Sequence, residues 1–233
     1  MDRRTFVKTL PALAMAASAS PGLAEELRPI TLPKPEKEGG KSVLAALWQR
    51  KTTREIKEQK LPPQALSNLL WAAFGVNREA GGPFGQPGRT AASASNSQEI
   101  DLYVALPEGT YLYDAAAHRL VPVVAGNLRA KAGGRGHRGA AAKAPVSLVF
   151  VADVARYAQA RLQEPGLKDP EVQKSYYDVA VGLIAGNVYL FAASQGLAAW
   201  FHNCNKPELT AALNLRPQQR VLFAQTVGYP EKG

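Results

Sequence analysis

The spacing of apolar side chains divides the sequence into segments of helical and of strand character. In residues 41–49 and 64–74, apolar positions recur at intervals of three and four, which predicts two helices. A longer apolar segment, Tyr176 to Gln195, predicts a third helix whose Ala and Gly residues permit close packing. A shorter helix is predicted at 207–213. The pattern therefore predicts one long buried helix and three shorter ones.

Runs of β-branched and apolar residues predict the strands. Residues 145–152 read PVSLVFVA, which is typical of a central strand buried on both faces. Residues 101–106 and 110–114 flank Pro107-Glu108-Gly109 and predict a β-hairpin. Further strands are predicted at 119–124, 197–202 and 221–227. This order of elements predicts an α+β fold in which helices pack on a mostly antiparallel central sheet.

The first residues have the composition of a targeting segment. The run Asp2-Arg3-Arg4-Thr5-Phe6-Val7-Lys8 precedes an Ala-rich apolar stretch, and small residues follow up to Ala24. Paired arginines before such a stretch are typical of a twin-arginine signal peptide. We therefore expect residues 1–24 to be removed near Ala24, with Ala19 as the alternative, and the protein to be periplasmic or otherwise exported. An ordinary amphipathic first helix is the other interpretation.

Composition limits the remaining organisation. The chain has 233 residues, 46% of them apolar and 20% charged, which suits one folded domain. We expect an extended arm or linker at 25–40, which is rich in Pro, Glu and Lys, and the domain at 41–233. The formal net charge is +9, but basic and aromatic residues do not alternate regularly, so no nucleic-acid partner is expected. The basic, Gly- and Ala-rich residues 125–145 could form a lid or a solvated surface loop.

The sequence contains few motifs associated with catalysis, nucleotide binding or metal binding. The single cysteine, Cys204, excludes an intramolecular disulfide and a Cys-based metal site within one chain, and it is predicted to be a buried structural thiol. The three histidines are scattered, and no GxxxxGK[ST], GxGxxG or GxSxG motif occurs. We therefore predict no metal site and name no catalytic side chain.

The basic segment Gln49-Arg50-Lys51-Thr52-Thr53-Arg54 is the main candidate for a binding site. Arg and Lys beside Thr can hold a phosphate through charge-assisted hydrogen bonds. The alternative is a solvated basic end of the preceding helix, where cations interact favourably with the helix dipole.

Four segments in order resemble the nitroreductase superfamily of flavin enzymes. The basic run Arg50 to Arg54 is similar to the phosphate- and flavin-binding run of that superfamily, and Arg89 to Gln98 is similar to its Pro-Ser-x-x-Asn-x-Gln stretch. Asp178 to Leu197 resembles its buried central helix, and Val227-Gly228-Tyr229-Pro230 its final segment. The resemblance covers roughly residues 41–230. Within the superfamily, residues 98–114 most resemble the SagB-like branch.

The resemblance implies an FMN-dependent oxidoreductase that passes two electrons through flavin N5. It also implies a homodimer with a flavin in each interface groove. The electron acceptor would be a small organic molecule of nitroaromatic or quinone type. NAD(P)H is scarce outside the cytoplasm, so a quinol or a protein could replace it as electron donor. The twin-arginine machinery exports folded proteins, which suits a protein that acquires its cofactor before export.

The resemblance also implies which residues hold the cofactor. Arg50, Lys51 and Thr52 would bind the phosphate and ribityl region, and Arg54 would lie near the pyrimidine side of the flavin. Backbone groups of the segment containing His202 and Asn203 would pass near N5. The partner subunit would supply Ser93, Ala94 and Asn96. Because hydride transfer to a flavin needs no protein acid or base, no catalytic side chain is expected.

Some positions depart from the superfamily pattern. Ala92 stands where a Pro is usual, which would loosen the turn before Ser93, and Glu99-Ile100 stand where Pro-Trp is frequent. Many members continue after Pro230 with a basic tail that helps to hold the phosphate, for which Lys232 could substitute. These departures leave a second hypothesis open: a non-enzymatic periplasmic accessory or binding protein with the same fold and weakened flavin binding.

Overall fold

The computed structural model of the protein describes residues 27–79, 85, 87–134, 136 and 138–232. The signal peptide expected at residues 1–24, with its cleavage site, lies outside the described residues, as do the first two residues of the expected arm.

The described chain folds into six helices, nine strands and three 3₁₀ helices. The α-helices are α1 (Val43–Gln49), α2 (Pro63–Phe74), α3 (Arg129–Ala132), α4 (Arg138–Lys143), α5 (Pro170–Ser194) and α6 (Lys206–Ala212). The strands are β1 (Ile30–Thr31), β2 (Val76–Arg78), β3 (Gly88–Arg89), β4 (Ile100–Ala105), β5 (Gly109–Asp114), β6 (Arg119–Ala125), β7 (Val146–Asp153), β8 (Ala198–His202) and β9 (Gln219–Gly228). The 3₁₀ helices are Ala94–Asn96, Val154–Gln159 and Pro165–Lys168.

Seven strands form one sheet in the order β1-β6-β5-β4-β7-β9-β8, and every neighbouring pair is antiparallel. The prediction of helices on a mostly antiparallel central sheet is therefore confirmed. All eight residues of β7 are buried, as expected for the central run of β-branched residues. β8 lies at one edge of the sheet, next to the end of α5.

Helices cover both faces of this sheet. On one face, Leu148 and Phe150 of β7 join a large core with α2 and α5. On the other face, Val149 and Val151 join a smaller core with Leu209 of α6 and the end of α3. Alternate residues of β7 thus enter different cores, because successive side chains of a strand point to opposite faces.

The long helix α5 begins at Pro170, six residues before the predicted start at Tyr176. The first two turns are polar, so the apolar pattern does not reveal them. Their signal is a cap: the Asp169 carboxylate accepts a hydrogen bond from the Glu171 N–H at 2.9 Å, and Pro170 occupies the first turn. By length and composition alone α5 could cross a membrane, but its buried face packs against α2, β8 and β9.

The short helix α1 presents its predicted apolar face to solvent. Ser42 caps the helix by accepting a hydrogen bond from the Ala45 N–H at 3.3 Å, and Ala46 is its buried residue. The exposed fractions are 68% for Val43, 73% for Leu44, 53% for Leu47 and 90% for Trp48. Such a contiguous exposed apolar patch is typical of a protein–protein interface.

The segment before α1 is extended and contributes an edge strand. Ile30 and Thr31 of β1 pair with Leu120 and Arg119 of β6. The Leu32 N–H then donates a hydrogen bond to the His118 carbonyl at 3.3 Å. These contacts attach the segment to the hairpin region of the domain.

Candidate functional site

The basic segment leaves α1 and runs along the edge of the sheet. The Thr53 N–H donates a hydrogen bond to the Ala199 carbonyl of β8 at 3.0 Å. Farther on, Ile56 forms a bridge with Pro230, and the Lys57 N–H donates to the Tyr229 carbonyl at 2.8 Å. The segment is therefore held between the edge strand and the final residues of the domain, and not released into solvent as a free helix end.

A tyrosine of the central helix fixes the position of this segment. The Tyr189 hydroxyl lies 3.0 Å from the Thr52 hydroxyl, and it accepts a hydrogen bond from the Phe201 N–H at 2.9 Å. The guanidinium carbon of Arg50 lies 5.3 Å from the centre of the Tyr189 ring, within range of a cation–π contact. One side chain thus joins the basic segment, α5 and β8.

Cationic side chains of this segment carry charge without compensation. Arg50, Lys51, Thr52 and Arg54 are all exposed. Across residues 27–79 and the other described parts of the chain, none of the three cations forms an ion pair. Exposed cations that lack acidic partners and lie beside a hydroxyl have the donor chemistry that a phosphate requires.

Aromatic side chains continue the site beyond Arg54. The guanidinium carbon of Arg54 lies 5.6 Å from the centre of the Trp200 ring, and the Trp200 and His202 ring centres are 4.3 Å apart. The His202 Nδ1 lies 2.9 Å from the Asn203 carbonyl, which can only accept, so Nδ1 carries the hydrogen. The other ring nitrogen lies 2.9 Å from the Thr226 hydroxyl. Both ring nitrogens are therefore engaged within the fold, which agrees with a site formed by the backbone of this segment.

Two cavities adjoin the basic segment. The larger, of about 830 Å³, is lined by residues that include Arg54, Arg138, Trp200, His202, Asn203 and Lys206. The smaller, of about 330 Å³, has Lys51, Thr53 and Tyr189 in its wall together with Lys232. Lys232 therefore shares a cavity with Lys51 of the basic segment, as expected if it contributes to phosphate binding.

The region of residues 125–145 borders the larger cavity. A side chain at Gly134 would bring its Cβ within 2.7 Å of the Asn203 carbonyl oxygen, so this approach requires glycine. Glu208 of α6 forms ion pairs with Lys131 at 3.3 Å and with Arg138 at 3.0 Å. The described parts of the region are thus attached to α6 at the edge of the cavity.

Cys204 lies in the wall of the same cavity and is buried, as predicted. Burial raises the pKa of the thiol to about 11, and Lys206 opposes this shift in part. At neutral pH the thiol is therefore protonated and a poor nucleophile, which fits a structural residue.

The segment Ser93 to Gln98 forms a tight turn at another place in the domain. Ser95, Asn96 and Gln98 have φ values of 48°, 51° and 50°, in the left-handed region that side chains seldom adopt. The Ser93 hydroxyl accepts a hydrogen bond from the Gln98 N–H at 2.9 Å, and the Ser97 hydroxyl donates to the buried carboxylate of Glu99 at 2.7 Å. Hydrogen bonds made by side chains thus fix this turn, although Ala92 stands where a more rigid proline is usual.

One chain does not bring all the predicted site residues together. Ser95 donates a hydrogen bond to Glu164, which precedes a turn packed on Tyr176 near the start of α5. Thr52 instead contacts Tyr189, thirteen residues farther along the helix, or roughly 20 Å at 1.5 Å per residue. Four of the predicted residues line the two cavities, namely Lys51, Arg54, His202 and Asn203. Arg50 and Thr52 contact Tyr189 in the wall of the smaller cavity. The other three, Ser93, Ala94 and Asn96, lie on the turn that Ser95 attaches to Glu164.

The apolar pattern did not indicate several residues of the site. Tyr189 and Trp200 belong to a helix and a strand that are otherwise apolar, and periodicity does not distinguish them from core residues. Arg138 and Lys206 are residue types that occur often on protein surfaces, so the sequence does not distinguish them. Only the fold shows that they line the cavity beside Asn203.

The donor set and the cavity shape fit a flavin nucleotide. Uncompensated cations and a hydroxyl lie at one end, and an aromatic wall and the backbone around Asn203 lie at the other. A cavity of this size is within the range found for cofactor sites. In the described residues, by contrast, no group of three or more His, Cys, Asp or Glu side chains could hold a metal ion.

Comparisons with known proteins agree with this assignment. A protein from Ralstonia eutropha assigned to the nitroreductases has a crystal structure that matches with 38% identity and a TM-score of 0.78, covering 91% of this chain and 93% of that one. A protein from Methanocaldococcus jannaschii with the same assignment is 28% identical over 157 residues, or 65% of this chain and 73% of its own length. A chain of the Escherichia coli microcin synthetase McbBCD complex shares the fold, with a TM-score of 0.61, 18% identity, and coverage of 77% of this chain and 68% of that one.

The sequence profile of the Nitroreductase family matches residues 47–229, which run from the end of α1 to the end of the sheet. This range includes every predicted cofactor residue from Arg50 to Asn203. The chain therefore belongs to the nitroreductase family of oxidoreductases.

Proposed function

We propose that this protein is an exported, homodimeric FMN oxidoreductase that transfers two electrons from a donor to a small organic acceptor. The observation that carries the proposal is the uncompensated basic segment. Tyr189 and the edge strand hold it in place between a cavity suited to a phosphate and a larger cavity beside Asn203. Family membership supports the class of chemistry, and these contacts support the location of the site.

The smaller cavity suits the phosphate end of FMN. Lys51 and Lys232 face it from the two ends of the domain, and Arg50 and Thr52 are fixed beside it by Tyr189. Several cations with a hydroxyl can share the charge of a phosphate through charge-assisted hydrogen bonds. Lys232 also supplies a cation after Pro230, which weakens the case for a protein that has lost flavin binding.

The larger cavity suits the ring end of FMN, which when bound supplies two-electron transfer through its N5 atom. Arg54, held over Trp200, would stabilise the negative charge that a reduced flavin gathers on its pyrimidine side. The two ring nitrogens of His202 already form hydrogen bonds with Thr226 and the Asn203 carbonyl, so they are not available to bind the flavin. The backbone near Asn203 is therefore the group left to contact the ring.

A second copy of the chain would complete the site. Within one chain, Ser95 of the turn that carries Ser93, Ala94 and Asn96 bonds Glu164 near the start of α5, whereas Thr52 contacts Tyr189 near its end, so the turn would serve the site of the partner. The exposed apolar face of α1 and the exposed Val179 and Leu183 of α5 supply a surface that dimerisation would bury. An apolar interface that carries half of a cofactor site would couple assembly to cofactor binding.

The SagB-like branch and export are parts of the same proposal. The resemblance of residues 98–114 supports the branch. The paired Arg3 and Arg4 support export by the twin-arginine machinery. Outside the cytoplasm, a quinol or a protein would replace NAD(P)H as donor, and nitroaromatics or quinones would be the acceptors.

The visible spectrum of freshly purified mature protein, before and after denaturation, is the decisive measurement. We expect stoichiometric FMN, identified by chromatography after release. Lys51→Gln should retain less FMN than Lys37→Gln, a variant with the same charge change on the exposed segment before α1. A folded, colourless protein that does not take up FMN would instead support the accessory-protein hypothesis.

Export has its own test. Replacing both Arg3 and Arg4 by Lys keeps the charge but removes the paired guanidinium groups that the twin-arginine machinery recognises. We expect the variant to remain in the cytoplasm while the parent is recovered from the periplasmic fraction. Equal periplasmic recovery of both would exclude this route.

A further inference from the structure

The wall of the larger cavity contains cations in addition to those predicted to hold the cofactor. Besides Arg54, its wall includes Arg138 from α4 and Lys206 from α6. These two cations come from helices outside the basic segment, one before Asn203 in the chain and one after it. Neither belongs to the residues expected to hold FMN.

Glu208 is the one carboxylate among the residues that line this cavity in the described chain, and it is already engaged. It pairs with Arg138 at 3.0 Å and with Lys131 at 3.3 Å, and it also accepts a hydrogen bond from the Asn205 side chain at 2.5 Å. Hydrogen bonds from Arg138 and Lys131 lower the pKa of Glu208, so the carboxylate is ionised at neutral pH. It offsets Arg138 but leaves the cavity with an excess of positive charge.

Of the two additional cations, Lys206 is the one without an acidic partner. Its ammonium nitrogen lies 5.1 Å from the centre of the Phe223 ring, and the side chain is exposed. Among the residues that the structure describes, it forms no ion pair. A free ammonium group at the wall of a cavity lined by Trp200 can bind the anionic group of an aromatic molecule.

We propose that the small organic acceptor of this site is an anionic aromatic molecule whose carboxylate or sulfonate binds Lys206, with Arg138 beside it. This inference rests on the proposed function, since it names the acceptor class of the same site. The aromatic ring would lie along the cavity wall near Trp200 and Asn203. Neutral aromatic molecules of the same shape would lack the charge-assisted contact.

The test is equilibrium binding of a matched pair of unreactive ligands, 4-methylbenzoate and 4-methylbenzamide, to the flavin-loaded protein by calorimetry. At low salt we expect the benzoate to bind about tenfold more tightly, with the preference shrinking as ionic strength rises. Lys206→Gln should reduce the preference by about threefold to tenfold, and Lys206→Arg should restore it. Lys37→Gln is the matched control and should leave the preference unchanged.

Two outcomes would overturn the inference. One is equal binding of the two ligands by the parent protein. The other is a Lys206→Gln variant that loses FMN affinity and keeps its preference for benzoate, because Lys206 would then serve the cofactor. If the proposed function itself fails, the purified protein will be colourless. The calorimetric titration with the two ligands can still be carried out on the colourless protein, so the two failures are distinguishable.

Discussion

The hydroxyl of Thr52 lies 3.0 Å from the hydroxyl of Tyr189, although the two residues are 137 positions apart in the chain. Tyr189 also accepts a hydrogen bond from the Phe201 N–H at 2.9 Å. Its single hydroxyl hydrogen is therefore free to point at Thr52. A tyrosine inside the apolar helix α5 thus determines where the basic segment lies relative to β8.

Tyr189→Phe should weaken FMN binding while preserving the fold. The phenyl ring would remain under Arg50, but Thr52 and the Phe201 N–H would lose their shared partner. The loss of a partly buried hydrogen bond costs about 1 kcal/mol, or about fivefold in the dissociation constant for FMN. Titration of apoprotein with FMN, followed by flavin fluorescence, measures this.

Tyr111→Phe provides the control for that measurement. It removes a tyrosine hydroxyl from β5, in the hairpin region away from the basic segment. Its FMN affinity should match that of the parent. If both variants bind FMN like the parent, Tyr189 does not position the cofactor residues.

The exposed face of α1 should be needed for assembly. Replacing Leu44 and Trp48 together by Glu puts two carboxylates on an apolar surface whose burial would favour a dimer. We expect sedimentation velocity to show a monomer, and FMN to be lost with the dimer, because in the proposed dimer each site includes the partner's turn.

Val123→Glu tests whether any new carboxylate on an exposed apolar position has the same effect. Val123 lies on β6, near the opposite edge of the sheet from β8, and is 38% exposed. This variant should sediment like the parent. A double variant of α1 that remains dimeric and keeps FMN would place the interface elsewhere.

Cys204 should react slowly with thiol reagents in the folded protein. Burial raises the pKa of its thiol to about 11, so at pH 8 only about one molecule in a thousand carries a thiolate. An exposed cysteine of ordinary pKa would react more than a hundredfold faster on this basis. The rate of iodoacetamide labelling, with and without denaturant, measures the difference, and fast labelling of folded protein would contradict the buried structural role.

Much of the fold was predictable because it depends on local patterns. The continuous apolar run of β7 and the hairpin around Pro107 lie within one or two residues of the predicted bounds. The start of α5 was missed because its polar first turns depend on the cap at Asp169. β1 was missed as a strand because a two-residue edge strand depends on its partner, β6, and carries no pattern of its own.

The site was predictable only where a recognisable segment carries it. Arg50 to Arg54 and the residues around Asn203 were named from the sequence, and the fold brings them to the same two cavities. Tyr189 and Lys206 were not named, since their importance comes from contacts between distant parts of the chain. The apolar pattern of α1 predicted a helix correctly. It did not reveal that the apolar face is exposed, because exposure also depends on contacts with distant parts of the chain.

His118 joins the segment after β1 to the domain. One ring nitrogen, Nε2, lies 3.1 Å from the Pro33 carbonyl and 2.7 Å from the Ser67 hydroxyl, and Nδ1 lies 2.9 Å from the Tyr113 hydroxyl. Because the carbonyl can only accept, Nε2 carries the hydrogen and Nδ1 accepts from Tyr113. Burial lowers the pKa of the ring, so the ring is neutral at neutral pH, and protonation of Nδ1 would require the Tyr113 hydroxyl to turn its hydrogen away.

Burial lowers the pKa of His118 below its ordinary value of 6.5, and the hydrogen bond to Pro33 opposes this in part. Between the lowered pKa and 6.5, the unfolded chain binds more protons at this position than the folded one. The free energy of unfolding should therefore decrease as the pH falls from 7.5 to 5.5, by at most about 1.4 kcal/mol per pH unit from this group.

His118→Asn should remove that contribution. Asparagine tolerates the φ of 47° at this position and does not titrate. We expect the difference in unfolding free energy between parent and variant, from urea titrations, to narrow as the pH falls through 6.5. Exchange of the Leu32 amide hydrogen, corrected for its intrinsic pH dependence, should accelerate over the same range in the parent alone. A difference that stays constant with pH would show that His118 binds protons equally in the folded and unfolded chains.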